Sequence, residues 1–308
     1  MFSCTNEQED PLPVVKMTPS IELKKYPDGF NFYVLSDLGK NGHKNQQVMA
    51  NQMAGLSGRI DPKFIVSCGN NFQGVGVESV DDPLWKSEFE NVYKKPSLQV
   101  DWFPVLGNHD YKGNSQAEID YSKRSNRWRF NSRYYTFVRQ INDSVSARFI
   151  FLDTTPLLDK YRKKQGYEDV AKQDSARQIE WLKAILANSK EQWKLVFGHH
   201  PIFSASTKQD IASESIQRIR PILEKYKVQF YISGHDRDLH HLKEKNGKLD
   251  YMVNGAESKT ALTVTNERSL FSKSATAFSS VTFHGDSIRY SFINIKGQLE
   301  YNFERSYK

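Results

Sequence analysis

Short apolar runs that end in polar loops recur along the whole chain. Runs of about five apolar residues bounded by polar ones predict buried strands. The predicted strands cover residues 30–35, 64–68, 102–106, 134–138, 148–152, 193–197 and 228–232. Apolar residues at helical spacing predict helices between them, one over 46–55 that stops at a glycine and one capped by Asp174. Strands that alternate with helices are typical of an α/β fold.

Three further stretches complete this pattern. Residues 281–292 carry apolar side chains in strand-like alternation, which predicts hairpins and an antiparallel end to one sheet. Residues 85–93 have large apolar side chains at helical spacing, and we assign them to the core. Residues 156–173 are charged and nearly free of apolar periodicity, so we predict an exposed loop there.

Composition limits the class of protein. The chain has 308 residues, of which 38% are hydrophobic and 13% aromatic, which is ordinary for a folded globular protein. We find no repeat or linker, so we predict one domain over 29–308 after a polar N-terminal tether over 1–28. The net charge of +7 is spread along the chain and favours an anionic ligand. Nucleic acid is not an expected partner, because the sequence has no RNA-binding signature, zinc-finger spacing or basic helix.

The two cysteines have different interpretations. Cys68 ends an apolar run, and we expect a small buried core residue rather than a reactive thiol. Cys4 follows Met1-Phe2-Ser3 and precedes a polar, acidic stretch, as in the tail of a bacterial lipoprotein signal whose earlier part lies outside the chain. Lipid attachment at Cys4 would imply an exported periplasmic or cell-surface protein, with the membrane reached only through the lipid. The alternative is a frayed N-terminus.

Polar loops follow five of the predicted strands. Because the carboxyl ends of strands in an open α/β sheet meet at one edge, residues distant in sequence are expected to gather there. The five loops read Ser36-Asp37-Leu38-Gly39, Gly69-Asn70-Asn71-Phe72-Gln73, Gly107-Asn108-His109-Asp110, Gly198-His199-His200 and Gly234-His235-Asp236-Arg237.

In this order and spacing the loops resemble those of the metallophosphoesterase superfamily. The stretch from Trp102 to Asn114, with Arg127-Trp128 beyond it, is similar to the small, tartrate-resistant type of purple acid phosphatase. The resemblance covers about residues 30 to 300. It implies a four-layer α-β-β-α sandwich of two mixed sheets.

The resemblance also implies roles for the loop residues. In that family a ferric ion and a divalent ion are bridged by a carboxylate and by a hydroxide that attacks phosphorus. The divalent site would be formed by Asn108, His199 and His235. His109 matches the histidine that contacts the substrate and protonates the leaving oxygen. Asp37 matches a terminal ligand of the ferric site.

Three positions depart from the family pattern, and all three serve the ferric site. Asn70 stands at the bridging aspartate, Gln73 at the tyrosine of the purple chromophore, and Arg237 at the closing histidine. A trivalent and a divalent ion about 3.5 Å apart repel by roughly 28 kcal/mol at an effective dielectric of about 20, so bridging anions are essential. An amide has no charge to offset that repulsion, and a guanidinium has no lone pair for a metal.

We therefore hypothesise that Arg237 fills the ferric pocket as a fixed cation, pairs with Asp37 and directs donors at a bound phosphate. The alternative is that Arg237 points to solvent and leaves the pocket empty. His240 and His241 are expected to be surface or outer groups rather than replacement ligands. His200 and His43 have no family role, so structural or solvent-facing uses are expected.

The divalent site keeps its residues. Asn108, His199 and His235, with the side-chain oxygen of Asn70, would hold at most one divalent ion, Zn²⁺, Mn²⁺ or Fe²⁺, or none. The expected ligand is phosphate or a phosphomonoester, contacted by His109, Arg237 and Asn70.

Three functions follow from this sequence. The first is a feeble or inactive phosphomonoesterase that binds phosphate-like anions. The second is an active acid phosphatase with an altered mononuclear or dinuclear centre. The third is a surface-tethered interaction module that keeps only the scaffold.

Overall fold

The computed structural model describes residues 25–38, 44–205, 216–255 and 263–307. Within them two mixed sheets pack face to face. The strands are β1 Phe30–Leu35, β2 Pro62–Ser67, β3 Asp101–Pro104, β4 Tyr135–Gln140, β5 Ser146–Phe151, β6 Trp193–Phe197, β7 Phe230–Ser233, β8 Leu239–Leu242, β9 Asp250–Val253, β10 Ser269–Lys273, β11 Ala277–His284, β12 Ser287–Asn294 and β13 Leu299–Ser306. The helices are α1 Lys44–Ile60, α2 Ser115–Asp120, α3 Asp159–Arg162, α4 Glu168–Ala171, α5 Ser175–Ala187 and α6 Ile216–Lys225, with a π-helical segment at Trp85–Glu90.

Alternation of side chains along the strands builds three core layers. Along β1, Phe32 and Val34 enter the core between the sheets, whereas Tyr33 and Leu35 enter an outer core beside α1. The core between the sheets is rich in phenylalanines that stack or meet edge to face, such as Phe32 and Phe149. The opposite face of the second sheet packs against α5 and α6. This arrangement confirms the predicted four-layer sandwich.

Sheet topology brings the polar loops together. The first sheet has the order β13-β12-β11-β1-β2-β3, and β1, β2 and β3 are parallel. The second has the order β10-β8-β9-β7-β6-β5-β4, with β5, β6, β7 and β9 parallel. The antiparallel finish through β11, β12 and β13 is as predicted. The loops after β1, β2, β3, β6 and β7 therefore converge on one end of the sandwich.

Two predictions of local structure were wrong. Helix α1 does not stop at Gly55 but continues to Ile60, because the apolar face that includes Leu56 continues into the core. The segment 156–173 is not an exposed loop. It forms α3 and α4, whose Tyr161 and Val170 are buried in the outer core of the first sheet.

Other local predictions were confirmed. The bounds of β1 and β6 are those expected from the apolar runs, and the aromatic residues of 85–93 are buried. The carboxylate of Asp174 accepts a hydrogen bond from the backbone N–H of Arg177, which makes it the N-cap of α5. Among the described residues, no helix combines the length and the apolar character needed to cross a bilayer.

Candidate functional site

A pocket of about 150 Å³ lies where the loops of the two sheets meet. The first sheet contributes Asn70, Asn108 and His109, and the second contributes His235 and Arg237. Asp236 also lines the pocket, although no role follows for it from the sequence. Asp37 and His199 are fully buried behind this wall. The structure thus gathers the predicted site residues that it describes.

The loops hold several of these residues in strained backbone conformations. Asp37, Asn70, His235 and Arg237 have φ values of 53°, 54°, 71° and 61°, in the left-handed region that side chains other than glycine rarely adopt. Such strain costs on the order of 1–2 kcal/mol per residue and clusters at functional sites.

Asn70 uses both ends of its amide within the site. Its Nδ2 donates to Oδ1 of Asp37 at 2.8 Å, and its Oδ1 accepts from the backbone N–H of His109 at 2.8 Å. If the amide were flipped, its oxygen would face the carboxylate of Asp37 and its NH₂ group would face the backbone N–H of His109. The two hydrogen bonds therefore fix the orientation of the amide. One lone pair of the Asn70 oxygen is thus used by His109, and the expected support of a metal by this oxygen stays a prediction.

Asp37 is surrounded by donors rather than by a guanidinium. Its carboxylate accepts from the amides of Asn70 and Gln73, at 2.8 and 3.3 Å, and from the backbone N–H of His235 at 2.9 Å. Within the described ranges no ion pair joins Asp37 to Arg237, so the predicted direct pair is wrong. Both oxygens of Asp37 are already occupied by closer donors.

The charge of Asp37 is nevertheless stabilised from a distance. Burial alone would raise the pKa of this carboxyl, but His199, Arg237, His235 and the Asn70 amide together hold the pKa below its usual value. Asp37 is therefore ionised, and Arg237 contributes to that charge balance from the pocket wall.

His199 presents a lone pair to its neighbours. Its Nδ1 lies 2.8 Å from the backbone carbonyl of Cys68, which can only accept, so Nδ1 carries the proton. Burial lowers the pKa of His199, which keeps the ring neutral and leaves the lone pair on Nε2. That Nε2 lies 3.1 Å from Oδ1 of Asn108 and 3.1 Å from Nδ1 of His235. Three potential metal ligands thus converge on one point.

His200 lies close to the same point. One ring nitrogen of each of His199, His200 and His235 lies within 4.8 Å of the others. His200 is buried, its Nδ1 contacts the Thr154 hydroxyl at 2.9 Å, and its Nε2 has no hydrogen-bond partner among the described residues. Burial lowers the pKa of both His200 and His235 well below the usual value. His200 is therefore buried, as a structural role would require, and it also lies at the edge of the site.

His109 stands at the mouth of the pocket. Its Nδ1 lies 3.1 Å from the carbonyl of Gly74, which can only accept, and 3.4 Å from the ammonium of Lys112, which can only donate. The shorter contact favours a proton on Nδ1. Burial lowers the pKa of His109, an effect that the Gly74 carbonyl opposes and that Lys112 and Arg237 reinforce. The other nitrogen, Nε2, gains a proton only when the ring becomes cationic at acidic pH.

The segment 156–173 forms part of the surroundings of the site. Burial raises the pKa of Tyr167, and a hydrogen bond from the Asn108 side chain opposes that rise. With its Nδ2 donating to Tyr167, Asn108 turns Oδ1 toward His199. The Tyr161 ring lies 5.4 Å from the ring of His200. The aromatic side chains in this charged segment, rather than any periodicity, are the signal by which the sequence could have indicated burial there.

Several candidates lie elsewhere. His240 and His241 are on β8 and fully buried, so the expectation of a surface position was wrong. Neither lines the pocket, so they are not replacement ligands there. His241 is held by Asp250 at 3.0 Å and by the Tyr301 hydroxyl at 2.9 Å. Cys4 and His43 lie outside the described residues.

Comparison with known proteins agrees with this geometry. The family described as calcineurin-like phosphoesterase matches residues 30–237. Purple acid phosphatase 4 of Arabidopsis thaliana is 35% identical over 84% of this chain and 76% of its own length. Tartrate-resistant acid phosphatase type 5 of Homo sapiens is 36% identical over 63% of this chain and 60% of its own length.

A solved structure is similar over nearly the whole chain. It is described as GAP50, the anchor in the inner membrane complex of Plasmodium. It has a TM-score of 0.79 and 26% identity, and the match covers 91% of this chain and 89% of that one.

Proposed function

We propose a function from one premise, that the chain belongs to the calcineurin-like phosphoesterase family and, within it, to the purple acid phosphatases. In this proposal the pocket binds a phosphate-like anion beside a single divalent cation, and the protein hydrolyses phosphomonoesters feebly or not at all. The observation that carries it is the hydrogen bond from Asn70 to Asp37. A dinuclear centre needs a bridging carboxylate at the position of Asn70.

The residues present do not fit two adjacent metal ions. The Asn70 Nδ2 presents hydrogens to Asp37, and an N–H group cannot ligate a metal. Gln73 likewise donates to Asp37, and Arg237 brings a permanent positive charge to the pocket wall. Asp37 alone cannot neutralise two cations and a guanidinium.

The residues do fit one divalent ion. Asn108, His199 and His235 would hold it, because the lone pair of His199 Nε2 lies 3.1 Å from both the Asn108 oxygen and Nδ1 of His235, three atom types that bind divalent ions. When bound, such an ion attracts a phosphoryl oxygen and lowers the pKa of a coordinated water.

The chain supplies the remaining chemistry. Arg237 lines the same pocket and would offer guanidinium donors to the anion. Protonated His109 can donate from Nε2 to a phosphate oxygen or a leaving oxygen. The guanidinium cannot activate water, so we expect turnover far below that of a two-metal enzyme.

Metal analysis with a phosphatase assay tests the proposal. The pocket of the parent chain should bind at most one divalent ion, and the parent should turn over an aryl phosphate slowly. The triple variant Asn70→Asp, Gln73→Tyr, Arg237→His should bind one ion more than the parent, turn purple with iron and gain about 100-fold or more in rate. A double variant of exposed residues, Asn246→Asp with Arg218→His, is the matched control and should match the parent.

Two results would contradict the proposal. One is a parent chain whose pocket binds two ions and which turns over rapidly. The other is a triple variant that has the parent's circular dichroism spectrum yet binds no more ions than the parent.

A second candidate is an anchoring role. It is supported by the similarity over 91% of this chain to a protein described as an anchor in the inner membrane complex of Plasmodium. An interaction module has no need of the pocket chemistry. If the parent binds neither a divalent ion nor phosphate, the anchoring role is favoured over the phosphate-binding one.

A further inference from the structure

A second cluster of ligand-type side chains lies just beyond the pocket loop. Asp236 and Asp238 lie between β7 and β8, and His240 is on β8. All three are buried, with exposed fractions of 4%, 0% and 0%. One ligand atom from each lies within 4.8 Å of the other two. The cluster shares no ligand with the set formed by Asn108, His199 and His235.

Three atoms at its centre have no hydrogen-bond partner in the described part of the chain. They are both carboxylate oxygens of Asp238 and Nε2 of His240. Nε2 and Oδ1 of Asp238 are 2.8 Å apart, but they are not aligned as a hydrogen bond. Buried polar atoms are rarely left in this state, because each loses its hydration without compensation. A proton on Nε2, which would make this contact an ion pair, or a bound cation would supply the positive charge between them.

The second nitrogen of His240 is already engaged. Its Nδ1 lies 3.1 Å from the Ser272 hydroxyl, which belongs to the paired strand β10. If Nδ1 donates to that hydroxyl, Nε2 keeps its lone pair and directs it at the carboxylate of Asp238. A metal-bound histidine usually donates its other N–H to such an outer partner. The contact with Ser272 thus matches what a ligand would require.

The two carboxylates also lack a permanent cation. No lysine or arginine among the described residues forms an ion pair with either one, and Asp236 is held only by the hydroxyl of Ser204 at 2.6 Å. Two buried carboxylates with so little compensation are stable only when neutralised by protons or by a bound cation.

We propose that Asp236, Asp238 and His240 form a second metal site, which binds one divalent cation of the Zn²⁺ or Mn²⁺ class. An imidazole ligand disfavours Ca²⁺ and Mg²⁺, and two carboxylates disfavour the softer ions that prefer thiolates. The ion fixes the loop that carries His235 and Arg237, both of which have left-handed backbones. It is a positioning element for the guanidinium, not part of the reacting centre.

Metal titration of the full chain tests this assignment. Chelator-treated protein is titrated with Zn²⁺ and with Mn²⁺, and bound ion and thermal midpoint are both measured. Asp238→Asn and His240→Gln should each lower the affinity for one ion by about 10-fold or more. His199→Ala should leave that ion bound. At about 100 times Kd the ion should raise the thermal midpoint of His199→Ala by about 4 °C, and adding Asp238→Asn to His199→Ala should abolish that rise.

His241→Gln is the matched control. It replaces a buried histidine on the same strand whose two ring nitrogens already have partners. This variant should keep the ion, whatever it loses in stability. Unchanged metal affinity in both Asp238→Asn and His240→Gln would overturn the proposal. Loss of all metal binding in His199→Ala would also overturn it, and that measurement does not depend on the folding of the other variants.

Discussion

Asn70 and Asp37, separated by 33 residues in the chain, are joined by a hydrogen bond of 2.8 Å from an amide nitrogen to a carboxylate oxygen. The same amide accepts from the backbone of His109, so three loops are connected through one neutral side chain. A charge-assisted bond of this kind is strong and does not require a metal. The loops on this side of the pocket are thus held together by the protein itself.

Replacing that amide by a carboxylate should destabilise the protein when no metal is present. In Asn70→Asp two buried carboxylates would face each other, and the donor to Asp37 would be lost. We expect a loss of about 3 kcal/mol in the free energy of unfolding at pH 7.5. Chemical denaturation measures this loss, which should shrink at pH 5 as one carboxyl takes up a proton. The exposed Asn246→Asp is the control, and an equal loss there would refute the explanation.

Gly107 should tolerate no side chain. A Cβ at this position would lie 2.3 Å from both the backbone nitrogen and Oδ1 of Asn70. Gly107→Ala should therefore displace Asn70 and weaken phosphate binding, measured by calorimetry, by about 10-fold or more. Gly58→Ala is a matched control, because it lies inside α1 and the added Cβ would meet no atom within 4 Å apart from its own stretch of helix. It should leave binding unchanged and stabilise the chain by roughly 0.5–1 kcal/mol.

Anion binding should strengthen as the pH falls. The pKa of His109 is lowered by burial, so the ring becomes cationic only at acidic pH and then offers a second donor. Sulfate is a suitable probe, because its own charge stays constant from roughly pH 4.5 to 7.5, the range over which a histidine changes charge. His109→Asn should remove most of the pH dependence of the sulfate Kd. A parent chain whose sulfate affinity is the same at both ends of this range would contradict the assignment.

Asp153 should make the protein less stable at higher pH. Burial raises its pKa from 3.8 to about 7, although Arg133 and the Tyr111 hydroxyl oppose the rise. Because the folded state holds this proton more tightly, the stabilisation is complete below pH 4 and is lost as the pH rises through 7. The effect is on the order of 4 kcal/mol.

The variant Asp153→Asn should be nearly as stable as the parent at pH 4 and more stable at pH 8. Urea unfolding at the two pH values measures this crossover. Asp143→Asn, at an exposed position, should follow the parent at both. If Asp153→Asn also lost stability with rising pH as steeply as the parent, the slope would belong to other groups.

Local pattern determined which features could be predicted from the sequence. The bounds of β1 and β6 and the cap at Asp174 depend on residues within a few positions of each other, so an apolar run or a capping side chain is sufficient. The convergence of the loops also follows, because it is a property of parallel strands.

Tertiary contacts determined the rest. The partners of Asp37 depend on how the Asn70 amide is turned, which is set by the backbone of His109 on another loop. The burial of Tyr161 depends on a core supplied by α1 and the first sheet, and its own segment carries no periodic signal. The position of His240 on a buried strand depends on pairing with β10, which lies about thirty residues further along the chain.

The pocket lies across the seam between two sheets, with Asn70 carried by the first and Arg237 by the second. An anion held by both side chains adds a link between the two halves of the sandwich, which at this end are already joined by the hydrogen bond from His235 to Asp37 and by the contact of His199 with Cys68. Because Asn70 follows β2 and Arg237 follows β7, the bound anion restrains the ends of both strands. Backbone amides in both strands should then exchange with deuterium more slowly in the complex, although neither strand contacts the ligand.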